Sequence, residues 1–146
     1  MDRNRVLEPL DGLVGTWKLE ASPPGGPPWS GEAQAAFEWL EGRTFLIQRW
    51  TVDLPEAPDG IAIIGAGDQP DTLRQYYFDS RGVHRIYEMT LRDGVWKLWR
   101  DAPEPFRQRF SGAFSADGRT ITGRWEKAED GSTWETDFTL TYRKVD

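Results

Sequence analysis

The segment at residues 76–89, YYFDSRGVHRIYEM, mixes aromatic and ionisable side chains on both sides of a turn. An arginine presents a planar set of donors that matches a carboxylate or another anionic group. A tyrosine adds an apolar ring and a hydroxyl that donates or accepts a hydrogen bond. These groups could hold the polar head of a ligand if they point into a cavity. On a solvent-facing hairpin they would be ordinary surface residues.

Catalytic and metal centres have less support in the sequence. His84 is the sole histidine and there is no cysteine, so thiolate and multi-histidine metal sites are excluded. Asp79 and Ser80 lie close to His84, but a nucleophilic relay needs a specific mutual geometry, and both residue types favour turns. The acidic run EKAED at 126–130 precedes a turn and is typical of a solvated loop. We therefore expect no metal site.

Composition limits the class of protein. The chain has 146 residues, enough for a single domain over 1–146 with one sizeable core. Its net charge of -6 argues against a nucleic-acid surface and against an anionic membrane. No apolar run is long enough for membrane insertion, and the first residues lack the apolar centre of a signal peptide. We expect a cytoplasmic protein.

Secondary structure follows from period-two alternation that is broken by glycine-containing turns. Proline- and glycine-rich loops are expected at 22–31 and 53–60, and a short helical turn at 3–13. About ten antiparallel strands with short connections favour an all-β, closed up-and-down β-barrel over a sandwich, because closure removes exposed edges. The predicted strands are 15–21, 32–40, 43–52, 61–67, 71–79, 83–92, 95–101, 105–116, 119–128 and 132–144.

The turns also predict strand register, because directly opposed side chains in a hairpin share a face. A two-residue loop at 117–118 pairs Phe110 with Trp125 inside the barrel and Arg109 with Glu126 outside it. The same treatment of 130–131 and 41–42 gives the inward pairs Trp125–Thr136, Gly123–Phe138, Ile121–Leu140, Trp39–Thr44, Phe37–Leu46 and Ala35–Gln48.

The hairpin at 76–89 gives the most informative register. A three-residue loop that ends at Gly82 pairs Tyr77 with Arg85 and Gln75 with Tyr87 on one face. The other face pairs Arg74 with Glu88, a contact typical of a surface, and places Phe78 beside His84. The next turn, at 93–94, sets Leu91 against Trp96, Met89 against Leu98 and Tyr87 against Arg100.

The inward face therefore carries polar groups, and a buried polar group without a partner costs about 1–3 kcal/mol. Either these groups satisfy one another around buried water, or they surround a cavity and its ligand. We favour the cavity. Gly112 and Gly123 also face each other inside, which leaves room for a ligand or a large neighbour such as Trp125, or marks a bend at a barrel corner. The inward polar residues are Gln48, Gln75, Tyr77, Arg85, Tyr87 and Arg100.

Several of these segments resemble a known group of barrels. LVGTWKLE at 13–20 resembles the Gly-x-Trp first strand of the calycins, which include lipocalins, fatty-acid-binding proteins and nitrobindins. The later segments EWLEGRTFLIQRW, YYFDSRGVHRIYEM, VWKLWR and GRTITGRWEKAEDGSTWETDFTLTY are similar to a bacterial family of unknown function with nitrobindin-like, ten-stranded barrels. The resemblance implies a small-molecule cavity. Nitrobindins bind haem through a late histidine, whereas residues 105–146 contain none, so we expect no haem and no other cofactor.

The leading hypothesis is a barrel that binds a small apolar or amphiphilic molecule with a polar or anionic group. The aromatic wall would be Trp50, Tyr77, Tyr87 and Trp125, and the orienting groups would be Gln48, Gln75, Arg85 and Arg100. Asp79 or Glu20 could already neutralise the two arginines. A first alternative is a cofactor-independent isomerase, cyclase or dehydratase in the same cavity, which a buried carboxylate of raised pKa would favour. A second is a structural domain, with a homodimer formed through the outward residues Phe45, Ile47, Phe78, Ile86 and Trp99.

Overall fold

The computed structural model describes residues 3–54, 57–100 and 107–145. A short α-helix, α1 (Arg3–Leu7), runs into a 3₁₀ helix (Glu8–Leu13), and strands follow it to the C-terminus. The strands close into one antiparallel barrel in the order β1-β10-β9-β8-β7-β6-β5-β4-β3-β2, which confirms the predicted fold class. They are β1 (Gly15–Ser22), β2 (Ala33–Trp39), β3 (Leu46–Val52), β4 (Gly60–Ala66), β5 (Leu73–Asp79), β6 (His84–Arg92), β7 (Val95–Arg100), β8 (Arg107–Phe114), β9 (Thr120–Ala128) and β10 (Glu135–Val145).

The turn residues explain where the strands end. Asp93 and Gly94 both have positive φ, 54° and 74°, as a two-residue type I′ turn requires. Gly82 likewise has φ 83° at the end of the β5–β6 turn. Within the described part of the chain, neither helix is long and apolar enough to cross a membrane.

Three hairpins have the predicted register. In β5–β6, Tyr77 pairs with Arg85 and Gln75 with Tyr87. In β6–β7, Leu91 lies opposite Trp96 and Met89 opposite Leu98. In β8–β9, Phe110 lies opposite Trp125, Gly112 opposite Gly123 and Arg109 opposite Glu126.

Two predicted registers are wrong by two residues. In β2–β3 the inward pairs are Trp39–Leu46, Phe37–Gln48 and Ala35–Trp50, because the turn spans residues 40–45 and is longer than two residues. In β9–β10 the pairs are Trp125–Phe138, Gly123–Leu140 and Ile121–Tyr142, since the loop is longer and a bulge lies between Thr136 and Phe138. A shift of two leaves each side chain on its predicted face, because strand side chains alternate with period two.

The N-terminal helices close one end of the barrel. Leu10 and Leu13 of the 3₁₀ helix are fully buried in the core. The indole of Trp17, at the start of β1, donates to the carbonyl of Leu13 over 2.8 Å. Asp11 accepts a hydrogen bond of 2.9 Å from the indole of Trp39 at the end of β2. We call this the helix end. The opposite end, where β5 turns into β6 and β7 ends, is called the distal end.

The facing glycines make room for a phenylalanine. A methyl group added at Gly123 would lie 2.5 Å from the ring of Phe110, and one at Gly112 would lie 3.0 Å from the same ring. Phe110 is buried and fills the space over both positions. The sequence predicted either room for a ligand or a large neighbour such as Trp125, or a bend. The structure shows a large neighbour, but it is Phe110 and not Trp125 that lies over the glycines.

Replacing Gly123 by alanine is expected to lower the free energy of unfolding by about 1–3 kcal/mol, the usual cost of adding a methyl group to a filled core. The Phe110 ring must move, and the backbone carbonyl of Leu140, 3.2 Å from the added carbon, limits where it can go. Chemical denaturation measures the change. Gly12→Ala is the control, because its added carbon would meet only Phe114 at an ordinary 3.9 Å. Equal stabilities for the two variants would contradict the packing described here.

Candidate functional site

The structure places all eight predicted site residues on the interior face, at different depths. Three of them, Gln48, Gln75 and Tyr87, are 2–6% exposed. The other five are half-buried on the same face of their strands: Trp50, Tyr77, Arg85, Arg100 and Trp125. These eight side chains come from β3, β5, β6, β7 and β9. Their role in binding stays a prediction.

A continuous series of aromatic rings fills the interior from the helix end towards the distal end. Each ring contacts the next edge-on or at a tilt, in arrangements that aromatic pairs prefer. The half of the barrel near the helices is therefore packed with rings, and the series continues to Tyr77 and Trp50 near the distal end. The centroid separations are Trp17–Tyr142 6.2 Å, Tyr142–Trp96 5.6 Å, Trp96–Phe110 5.1 Å, Phe110–Trp125 5.3 Å, Trp125–Tyr87 5.6 Å, Tyr87–Tyr77 6.1 Å and Tyr77–Trp50 5.4 Å.

The buried amides and tyrosines partly satisfy one another. Gln75 donates to Gln48 over 3.4 Å, and the Tyr87 hydroxyl donates to the side-chain oxygen of Gln108 over 3.1 Å. Burial raises the pKa of the Tyr142 hydroxyl, and a hydrogen bond with Gln48 opposes that rise. Each glutamine amide has two donor hydrogens and an oxygen with two lone pairs. These contacts therefore leave both glutamines with capacity for a further partner.

A second polar cluster lies at the distal end, where β5 enters its turn. The Tyr77 hydroxyl donates to Asp79 over 2.5 Å, and Arg81 approaches the same carboxylate at 2.7 Å. The Asp79 side chain is completely shielded from solvent. Hydrogen bonds from Arg81, followed by that from Tyr77, hold the pKa of Asp79 well below its usual value despite burial. Burial first, and then the bond to Asp79, raises the pKa of Tyr77, so its hydroxyl keeps its proton.

Asp79 and Glu20, which the sequence suggested as partners, do not neutralise Arg85 and Arg100. Asp79 is engaged by Arg81, and Glu20 pairs with Arg143 at 3.6 Å. Among the described residues, no carboxylate forms an ion pair with either arginine. The Arg85 guanidinium lies 6.0 Å from the centre of the Tyr77 ring. Although burial raises the pKa of Tyr87, a hydrogen bond from Arg85 and the charge of Arg100 act against that rise.

Sequence reasoning missed two interior groups. Gln108 lies opposite Arg100 across β7–β8 and accepts the Tyr87 hydroxyl; its strand was predicted, but its orientation was not considered. The indole nitrogen of Trp96 is buried and has no hydrogen-bond partner within the described ranges. The predicted Trp96–Leu91 pair already turned Trp96 inward, so an unmatched donor could have been foreseen from the register.

The groups considered for catalysis do not form a relay. His84 is exposed on the outer face, opposite Phe78. The Ser80 hydroxyl accepts a hydrogen bond from the backbone N–H of Asp59 over 3.1 Å, while Asp79 binds Tyr77 and Arg81. No group of three potential metal-ligating side chains occurs in the described part of the chain.

The outward apolar residues proposed for a dimer are only partly exposed. Phe45, Phe78 and Ile86 are exposed, whereas Ile47 and Trp99 are half-buried. The Phe45 ring lies over Gly65, where an added methyl group would meet it at 2.7 Å. Homodimer formation through this surface stays a prediction.

The cluster of Tyr77, Asp79 and Arg81 should make the free energy of unfolding depend on pH in the acid range. A carboxylate whose pKa is lowered on folding stabilises the protein above its unfolded pKa of about 3.9. That contribution is lost as the pH falls from about 4 through the lower pKa of the folded state. We expect Asp79→Asn to be less stable near neutrality and to lose less stability on acidification, as followed by urea unfolding across this range. Asp53→Asn, at an exposed aspartate, is the control. Parallel pH profiles for Asp79→Asn and the parent would contradict the assignment.

Comparison with known proteins supports the fold and shows no function. No family model matches the sequence, and no curated protein matches it either. Among solved structures, Rv2717c from M. tuberculosis is 15% identical over 99% of this chain and 100% of its own, with a TM-score of 0.69. The S-type phycobiliprotein lyase CPES from Guillardia theta is 12% identical over 100% of this chain and 98% of its own, with a TM-score of 0.63. The chain therefore has the calycin-like, ten-stranded barrel fold that its sequence predicts.

Proposed function

We infer that the protein binds a small, largely apolar molecule with an anionic group at the distal end of its barrel. The observation that carries this proposal is the pair Arg85 and Arg100. Both are half-buried on the inner face, and no ion pair joins either of them to a carboxylate in the described ranges. Holding a partly desolvated charge without a counter-ion is costly. In a chain with a net charge of -6, two such cations that both act on Tyr87 are best explained by an anionic partner.

The surrounding residues suit the rest of such a ligand. Trp50, Tyr77 and Trp125 are half-buried, so part of each ring is left to contact an apolar body. Gln48 and Gln75 lie deeper and keep hydrogen-bonding capacity for a polar substituent. A fold neighbour named as a phycobiliprotein lyase is compatible with a small-molecule role for this kind of barrel. The acidic, cysteine-free composition supports a cytoplasmic location.

Binding without catalysis is favoured over the enzymatic alternative. An isomerase or dehydratase on this barrel would need a general acid or base whose pKa lies near the working pH. The shielded carboxylate of the cluster, Asp79, has its pKa lowered by Arg81 and Tyr77, which is the opposite direction. The Tyr77 hydroxyl has its pKa raised. The Asp79 carboxylate and the Tyr77 hydroxyl are therefore better suited to holding the wall of the site rigid than to transferring a proton.

Native mass spectrometry of the protein purified from its own host tests the proposal. We expect a mass shift for one bound molecule per chain, and extraction should yield a compound that carries an acidic group. Arg85→Gln, purified in the same way, should carry less of it. A parent protein that is free of any compound, or a bound compound without an anionic group, would contradict the proposal.

A further inference from the structure

A groove runs along the outer wall of the barrel, on the far side of the strands that carry Arg100 and Trp125. It has a volume of about 430 Å³, which lies within the usual range of about 300–1,000 Å³ for small-molecule sites. β7, β8 and β9 form its floor, and Trp134, just before β10, forms a wall. The side chains used below are Lys97, Trp99, Arg107, Arg109, Glu126 and Trp134.

The Trp134 side chain, which forms one wall of the groove, is held in place by stacking against arginine side chains. The Arg109 guanidinium lies 3.9 Å from the centre of the Trp134 ring, close enough for a strong cation–π contact. Arg107 lies 5.5 Å from the same ring and donates to the carbonyl of Gly131 over 3.2 Å. Glu126 accepts a 2.9 Å hydrogen bond from Arg109 and so fixes its orientation. Trp134 is therefore held beside the two arginines in a defined position at the groove.

The charge of the groove favours an anion. Among the described residues that line it, Glu126 is the one carboxylate, beside the cations Lys97 and Arg109. Glu126 is already occupied by Arg109. Lys97, which lies opposite Ser111, is exposed and makes no ion pair with any described residue. Trp99 lies opposite Arg109 on the same outer row, so a second indole borders the cations.

We propose that this groove is a second binding site, for a small planar aromatic molecule that carries a carboxylate or sulfonate. Its ring stacks between the indoles of Trp99 and Trp134, and its anionic group lies against Lys97. The volume suits one small molecule of this type. The site is independent of the interior site, because side chains that alternate along β7, β8 and β9 point to opposite faces of the barrel wall.

Titration of the ¹⁵N-labelled protein with indole-3-acetate, followed by NMR, tests the proposal. Saturable shifts are expected at the indole N–H signals of Trp99 and Trp134 and at the Arg109 Nε–H. Trp134→Ala should weaken binding about tenfold through the lost stacking. Lys97→Gln should weaken it about two- to fivefold through the lost exposed cation. Neutral 3-methylindole should bind more weakly than the acid and show no effect of Lys97→Gln.

Two controls separate this site from general surface attraction and from the interior site. Arg49→Gln removes an exposed outer-face cation that pairs with Glu38, outside the groove, and should leave the affinity unchanged. Arg85→Gln alters the interior site and should leave the affinity of the groove for indole-3-acetate unchanged as well. Absence of saturable shifts, shifts confined to interior residues, or an affinity that Trp134→Ala and Lys97→Gln both leave unaltered would overturn the proposal. Circular dichroism confirms that each variant is folded before its titration is interpreted.

Discussion

Replacing Trp17 by alanine is expected to lower the free energy of unfolding by about 3–5 kcal/mol, which is typical of removing a large buried aromatic side chain. Trp17 is fully buried and joins β1 to the 3₁₀ helix through its hydrogen bond to Leu13. Its ring contacts Tyr142 edge-on, and the Lys144 ammonium lies 5.4 Å from the ring centre. The substitution would remove the packing that closes the helix end.

Urea unfolding of the parent and of Trp17→Ala measures this loss. Trp29→Ala is the matched control, because it removes the same side chain from a position that is 46% exposed, where its ring contacts Phe138. We expect the control to cost less than about 1 kcal/mol, as is usual for surface substitutions with few contacts. Similar losses for the two tryptophans would show that the helix end is not the packed part of the barrel.

Replacing Arg85 and Arg100 together by glutamine is expected to weaken octanoate binding about a hundredfold, since each hydrogen bond to a charged group contributes about 1.5–3 kcal/mol. Glutamine keeps a polar side chain of similar length and removes only the charge and the guanidinium geometry. Isothermal titration calorimetry with octanoate gives the dissociation constants. Octanol is the matched neutral probe, and its affinity should be nearly the same for the parent and the double variant.

Two outcomes would contradict this role for the arginines. An equal loss of octanol and octanoate affinity would mean that the substitutions damage the pocket and not the anion contact. An unchanged octanoate affinity would mean that the anionic group lies elsewhere. Arg124→Gln, which removes an exposed arginine from the outer face of β9, controls for the change in net charge.

The fold could be predicted largely because turn chemistry and strand alternation are local. Asp93-Gly94 forms the predicted two-residue loop and so fixes the register of β6–β7. The β8–β9 loop spans 115–119 and is longer than predicted, but it is centred on Asp117-Gly118, so its register is also as predicted. The turn at 40–45 and the bulge after Thr136 were not recognised, because no short motif specifies a longer loop or one extra residue. The interior face was still predicted correctly, since an error of two residues does not move a side chain to the other face.

The site was predicted less completely than the fold, because its properties depend on which side chains meet. From the sequence, Asp79 was considered as a partner of Arg85 or Arg100, and only the folded turn shows that Arg81 binds it. The aromatic packing near the helix end depends on side-chain directions that alternation does not give. The outer groove depends on the conformation of a loop that brings Trp134 over Arg109.

Octanoate enriched with ¹³C at its carboxyl carbon gives the most direct test of an anion held at Arg85 and Arg100. In complex with the parent protein, the carboxyl signal is expected to titrate with a pKa below that of free octanoate, because the guanidinium groups of Arg85 and Arg100 favour the charged form. In the Arg85→Gln, Arg100→Gln variant the titration should return to that of the free acid. A bound carboxyl signal that titrates like free octanoate in the parent, or no bound signal at all, would contradict the proposed site.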